Sequence, residues 1–213
     1  MIVLADNDIL IKLCALDLLD EALSWFGIDR KSVRVLDSAE PYVRKHAVRL
    51  ETRYGSEAIR RLREFLHTAT PTRCGPLDEV DLLRDVVNIE AGEAILIGAT
   101  GEYPDVIFLT DDKRCLIALH ESAACRKIAE RLEGRAYCLA QLLLGLIHLR
   151  GWDTVRSRVL ANVQMDDLLR STFQDADQIP EAVILARLRS YVAVQRSKTG
   201  NLLGSRTQAD SRF

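Results

Sequence analysis

The sequence predicts an α/β fold: a central, mostly parallel twisted sheet flanked by helices, with an all-helical C-terminal extension. Three observations predict it. Short apolar runs at Ile2 to Ala5, Val33 to Leu36 and Val106 to Thr110 are bounded by polar or turn residues, as buried strands are. Helical patterns separate them, and strands joined through helices pair in parallel. From Leu139 onward every patterned stretch reads as helix.

Ile2 to Ala5 forms the first strand. Asp8 is placed to cap a helix from Ile9 to about Phe26, whose face carries Leu10, Leu13, Leu16, Leu19 and Leu23; Gly27 ends it. Val33 to Leu36 is the second strand. Asp37 or Ser38 caps the next helix, Pro41 suits its first turn, and the pattern runs to Arg53. Gly55-Ser56 breaks it and a further helix reaches Leu66. Thr68 to Pro76, with two prolines and a glycine, reads as a loop, and Leu77 to Val87 as an acidic helix. Ala91 to Thr100 is a compact helix closed by Gly101. After the strand Val106 to Thr110, Asp111-Asp112 opens a helix through His120. Ala124 to Leu132 is helical, and Ala136 to Leu139 reads as a last strand. Four helices follow, at Leu139 to Leu149, Thr154 to Val163, Asp166 to Phe173 and Pro180 to Val194. The organisation expected is an α/β domain over 1–150, a helical extension over 151–198 and a disordered tail over 199–213.

Bulk composition narrows the function classes. Of 213 residues, 48% are hydrophobic, enough for a core without disulfide staples. The net charge of -2 excludes a uniformly basic nucleic-acid coat, so any polyanion must meet a local patch. Cys14, Cys74, Cys115, Cys125 and Cys138 are scattered, without a Cys-x-x-Cys pair, and fit free thiols in a reducing compartment. Cys14 and Cys138 sit in apolar runs, as small core residues do. No basic, long-apolar leader opens the chain and no stretch is long enough to span a bilayer, so a cytoplasmic location with no membrane partner is expected. His46, His67, His120 and His148 have no ligand spacing with one another.

The chemistry-bearing residues lie where strands end and helices begin, the rim at which parallel sheets collect ligands. Asp6 follows the first strand, with Asp8 two residues on. Asp111 and Asp112 follow Val106 to Thr110. Glu90 and Glu93 share one face at the start of a helix, and Glu40 lies in the first turn after the second strand. Gathered carboxylates repel one another unless a cation intervenes, and an oxygen-only set suits Mg²⁺ or Mn²⁺. Each acid also has a plainer reading, as an N-cap or as a favourable charge at a helix start. No Gly-x-Ser-x-Gly, P-loop or dinucleotide fingerprint competes.

Three motifs in order then resemble the PIN-domain family. Met1-Ile-Val-Leu-Ala-Asp6-Asn7-Asp8-Ile-Leu-Ile-Lys12-Leu matches its first motif, an apolar strand ending in Asp before an apolar helix. Glu90-Ala-Gly92-Glu93-Ala94 resembles its central acidic helix start, and Leu109-Thr110-Asp111-Asp112-Lys113-Arg114 its late strand-end acids. The resemblance covers Met1 to about Arg150. It implies a PIN fold, divalent-metal-dependent endonuclease activity (usually on RNA), frequent homodimers, and in many bacterial members a toxin held by a small antitoxin. Carried over, Asp6 and Glu93 are metal ligands, with Asp111 or Asp112 beside them. Glu40 takes the remaining acidic place, with Glu51 as its fallback, although the apolar surroundings usual there are poor. Asp8 takes a supporting position near the ion, and Lys12 either contacts phosphate or pairs with a carboxylate.

Arg44, Lys45, Arg49 and Arg53 form a basic stretch able to neutralise phosphates, and Lys113 and Arg114 flank the acids. A second basic stretch runs from Arg187 to Phe213. Two rival readings remain. One is a catalytically inactive interaction protein that keeps the fold. The other is a haloacid-dehalogenase-like phosphatase, since Asp6-Asn7-Asp8 copies that family's nucleophile pair; against it, no lysine precedes Asp111 at a strand–helix boundary.

Overall fold

The computed structural model describes residues 1–205. In chain order it forms β1 (Ile2–Ala5), α1 (Asn7–Ala15), α2 (Leu19–Trp25), β2 (Val33–Val35), α3 (Ala39–Lys45), α4 (Ala47–Tyr54), α5 (Ser56–Leu66), β3 (Thr70–Pro71) and α6 (Leu77–Arg84). There follow α7 (Ala91–Ala99), β4 (Val106–Leu109), α8 (Lys113–Glu121), α9 (Arg126–Arg131), β5 (Ala136–Tyr137) and α10 (Leu139–Arg150). The described chain closes with α11 (Trp152–Leu160), α12 (Asp167–Phe173) and α13 (Glu181–Thr199).

The five strands make one sheet in the order β3-β2-β1-β4-β5, and every pairing is parallel. With helices on both faces, the layout is α/β and consistent with a PIN-like one. Period-two alternation sorts the strand residues between two apolar layers. Val3, Ala5, Val33, Val35, Ile107 and Leu109 pack on the larger core, and Leu4, Val106 and Phe108 on the smaller one under α7 and α8. β1 lies centrally, so Asp6 leaves the sheet at its middle.

Several expected boundaries shift, each for a local reason. The single helix expected from Ile9 to Phe26 is two helices. Asp17 adopts a positive φ of 54°, and the turn there lets Leu16 and Leu18 both bury. The cap of α1 is Asp6, not Asp8: its carboxylate accepts from Ile9 N at 2.9 Å. α3 and α4 are separated at His46, whose ring packs on Tyr42 at 4.8 Å. The stretch read as a loop, Thr68 to Pro76, contains the edge strand β3. α13 runs to Thr199, five residues past the expected end at Val194.

The helices after Arg150 are no appendage. Val155, Leu169, Phe173, Ile184 and Leu188 are buried in the same apolar cluster as Leu10 and Leu13. The disordered tail expected over 199–213 is corrected for its first part. Gly134 N and Ala136 N donate to Asn201 O and Leu202 O at 2.7 and 3.0 Å, and Leu202 and Leu203 are buried. Two apolar side chains and an open strand edge account for this ordering; residues 206–213 lie outside the described ones. All five cysteines are free thiols, and among the described residues no helix is long and apolar enough to cross a membrane.

Glycine is required at Gly75, because a Cβ there would stand 2.2 Å from Gly98 O, in the backbone of α7. Backbone cannot yield as a side-chain tip can. Gly75→Ala is therefore expected to destabilise the protein by about 2 kcal/mol or more, read as a lower urea midpoint with an unchanged slope.

Candidate metal and nucleic-acid site

At the C-terminal end of β1 and β4 lies a cavity of about 690 Å³. Asp6, Asp8, Glu90, Glu93, Asp111 and Asp112 line one side of it. Tyr42, Arg49, Arg53 and Tyr54, from α3 and α4, line the other.

Asp6 is buried to 8% exposure. It caps α1 through one oxygen and accepts a short hydrogen bond from the Thr110 hydroxyl through the other. Thr110 also accepts from Asp112 N at 3.1 Å, which ties the end of β4 to the end of β1. Burial pushes the Asp6 carboxyl up to about 6; the Thr110 and Ile9 hydrogen bonds oppose that, and the charges of Asp8 and Asp111 add to it.

Glu93 sits in the first turn of α7, where its carboxylate accepts from Glu90 N at 2.8 Å in a capping box. Burial raises its pKa to about 7, against the Glu90 hydrogen bond and with repulsion from Asp112 and Asp6. Asp6 and Glu93 thus feel each other's charge across the cavity.

The two adjacent aspartates have separate tasks. Asp112 caps α8, accepting from Arg114 N and Cys115 N at 2.8 and 3.1 Å, and pairs with the Arg114 side chain at 3.2 Å. Burial acts to raise its pKa, but these hydrogen bonds and the Arg114 charge outweigh it and hold the carboxyl below its ordinary value. Asp111 turns instead toward Lys12 Nζ, at 2.6 Å, and accepts from Leu139 N at 3.3 Å. Of the two, Asp112 is the one whose charge reaches Glu93 most strongly.

Lys12 is buried, its side chain 6% exposed. Its ammonium stands 2.7 Å from Asp8, 2.6 Å from Asp111 and 2.7 Å from Asp166. Burial would lower its pKa, but attraction to Asp111 and Asp8 and hydrogen bonds to Asp111 and Asp166 outweigh it and hold it above the usual lysine value. Of the two roles the sequence left open for Lys12, the structure shows the carboxylate partner.

Asp166 is the residue that sequence reasoning missed. It lies in the helical extension, where the motifs stop, and the sequence pattern gives it only as the start of a helix. It does cap α12, accepting from Leu168 N at 2.8 Å. The signal available was a buried-type lysine, Lys12, in an apolar helix with more carboxylate need than Asp8 could supply.

Glu40 is exposed and does not line the cavity; α3 presents Ser38 and Tyr42 there instead. Its place in the catalytic set is corrected on that ground, and Glu90 lines the cavity in its stead. Glu51 also stands outside, 3.7 Å from Arg63. Of the basic stretch, Arg49 and Arg53 line the cavity whereas Arg44 and Lys45 are exposed elsewhere on α3. Arg49 donates to the Tyr42 hydroxyl at 3.0 Å, and Arg53 lies over the Tyr54 ring at 5.0 Å while reaching Met165 O at 3.2 Å. Lys113 and Arg114 line the opposite rim. From the second basic stretch, Arg187 pairs with Asp175 and Arg196 donates to Gly204 O, and Arg206 and Arg212 lie outside the described residues.

The donor chemistry fits a hard divalent cation. Asp6 and Glu93 are desolvated carboxylates that repel each other, and a cation relieves both costs. Among the described residues, no group of three or more His, Cys, Asp or Glu is already arranged to hold an ion. The acids therefore share a cavity without forming a closed ligand set. No protein family, curated protein or solved structure matches the chain.

Proposed function

We propose that this chain is a PIN-type endonuclease that hydrolyses phosphodiester bonds of RNA with Mg²⁺ or Mn²⁺. One observation carries the reading. Asp6, Glu93 and Asp112 come from three distant stretches of sequence yet line one cavity, facing a wall of arginine and tyrosine.

Asp6, Glu93 and Asp112 would hold the ion, which when bound polarises the scissile phosphate and lowers the pKa of a coordinated water. Arg49 and Arg53 on one rim, and Lys113 and Arg114 on the other, neutralise the phosphates of a strand crossing the cavity. Tyr42, part-exposed at the cavity, gives an aromatic ring on which an unpaired base can stack. Thr110 holds Asp6 and the backbone of Asp112 in fixed relation, so the two carboxylates start from a rigid frame.

The deciding experiment is Mn²⁺ titration together with cleavage of single-stranded RNA. Cleavage that needs the ion and stops with EDTA supports the proposal; no Mn²⁺ binding, or cleavage indifferent to EDTA, sinks it. The same titration has a pH signature. Asp6 and Glu93, raised to about 6 and about 7, are protonated below those values and must lose their protons to bind a cation. Mn²⁺ affinity is expected to climb on the order of a thousandfold between pH 5 and pH 8, measured by calorimetry.

The basic wall makes a separate prediction. Arg49→Ala and Arg53→Ala should each raise KM several-fold with kcat nearly unchanged, and lower the salt slope of RNA binding by about 0.7. Filter binding from about 50 to about 300 mM salt, over which the Debye length shortens about 2.5-fold, checks the slope.

A further inference from the structure

Seven carboxylates crowd this end of the sheet, and all but Glu90 fall into two sets of three. Asp6, Glu93 and Asp112 line the open cavity and make no ion pair with Lys12. Asp8, Asp111 and Asp166 converge on one point, and that point is occupied by Lys12 Nζ. An ammonium has three N–H donors, and here each of the three carboxylates stands within 2.7 Å of it. The three acids come from α1, from the end of β4 and from the cap of α12, so three separate elements are folded around a single positive charge. Such a cage is what a second divalent ion would require, but with a lysine at its centre.

We infer that Lys12 is a covalently attached cation filling one of two adjacent cation positions, so that the site takes a single divalent ion, on the Asp6–Glu93–Asp112 side. This deepens the proposed function and rests on it. The cage leaves two of its three negative charges uncompensated by Lys12, which strengthens the negative potential that an ion at Asp6 would meet. Asp166 completes the cage and is a positioning residue: it acts on the cavity through Lys12 and Asp111, and it brings the helices after Arg150 into the construction of the site.

The inference is tested by counting Mn²⁺ ions without reference to catalysis. Calorimetry and electron paramagnetic resonance on the wild-type protein at pH 8 should show one tight ion per chain, with the sharp spectrum of an isolated Mn²⁺. Lys12→Met empties the cage of its cation while keeping its three acids. That variant should take up a second ion, show the exchange broadening of two neighbouring Mn²⁺ ions, and gain more in Tm from Mn²⁺ than the wild type gains. Asp166→Asn, in which asparagine still caps α12, should leave the count at one and weaken its affinity several-fold; Asp166→Glu should restore it. Two tight ions in the wild type overturn the inference while leaving the nuclease reading standing. No ion in the wild type overturns the nuclease reading itself. Should Lys12→Met not fold in either the presence or absence of Mn²⁺, the wild-type count and the Asp166 pair decide the matter alone.

Discussion

Asp6→Asn is expected to cut RNA cleavage by about a thousandfold or more while leaving the protein at least as stable as the wild type at pH 8. The two halves of this result have different origins. Asparagine has the shape of aspartate and caps a helix as well, so Ile9 N keeps its acceptor. What disappears is the charge that would bind the ion. In the wild type that charge is held at a cost, because burial raises the Asp6 pKa from 3.8 to about 6. The sign follows from proton counting. Between those two values the folded state binds more protons than the unfolded one, so stability falls as pH rises through the window. Above it the accumulated cost is on the order of 3 kcal/mol, offset in the variant by a poorer partner for the Thr110 hydroxyl. Glu93, raised to about 7, adds a second loss in the same direction. Urea denaturation at pH 5 and pH 8 reads both effects. A wild type more stable at pH 8 than at pH 5 in EDTA, or an Asp6→Asn variant that keeps cutting, would remove the physical basis of the site.

Lys12→Met is expected to destabilise the metal-free protein by about 3–5 kcal/mol. Methionine fills nearly the same volume, so packing is retained. Asp8, Asp111 and Asp166 are instead left facing one another with no counter-charge. Asp111 and Asp166 have side chains only 7% and 10% exposed, so water cannot take the lysine's place cheaply. The pH dependence of the wild type carries the same interaction. The folded-state pKa of Lys12 is raised above its unfolded value, so its stabilisation is complete below about 10.5 and disappears as pH climbs through the folded value. Alkaline unfolding of the wild type, absent as a distinct loss in the variant, is the measurement.

Much of the frame was legible because it rests on local signals. The runs ending at Ala5 and Leu109 are apolar on both faces, as strands covered on both sides must be, and the acids that follow them are true caps. Glu93 was legible through its place three residues after Glu90, the spacing of a capping box. Less visible was anything set by long-range packing. Nothing near Asp111 or Asp112 in sequence says which one faces Lys12; that depends on where α1 lies across the sheet. Glu40 looked suitable as an acid after a strand, but α3 turns it outward and presents Tyr42 instead. Asp166 sits 154 positions from Lys12, beyond the reach of any spacing rule. Leu202 and Leu203 looked like part of a polar tail, because two apolar residues alone carry no periodicity; a waiting strand edge at β5 gave them a partner.

That partnership bears on whether the sheet can be extended by another chain. At one border of the sheet, Asn201 to Gly204 run beside β5 and take up its backbone groups, with Gly204 N donating to Ala136 O at 2.8 Å. At the other border β3 has only two residues, one of them Pro71, which has no amide hydrogen to donate. Among the described residues, both margins of the sheet are thus short or covered, which disfavours strand-by-strand addition of another chain.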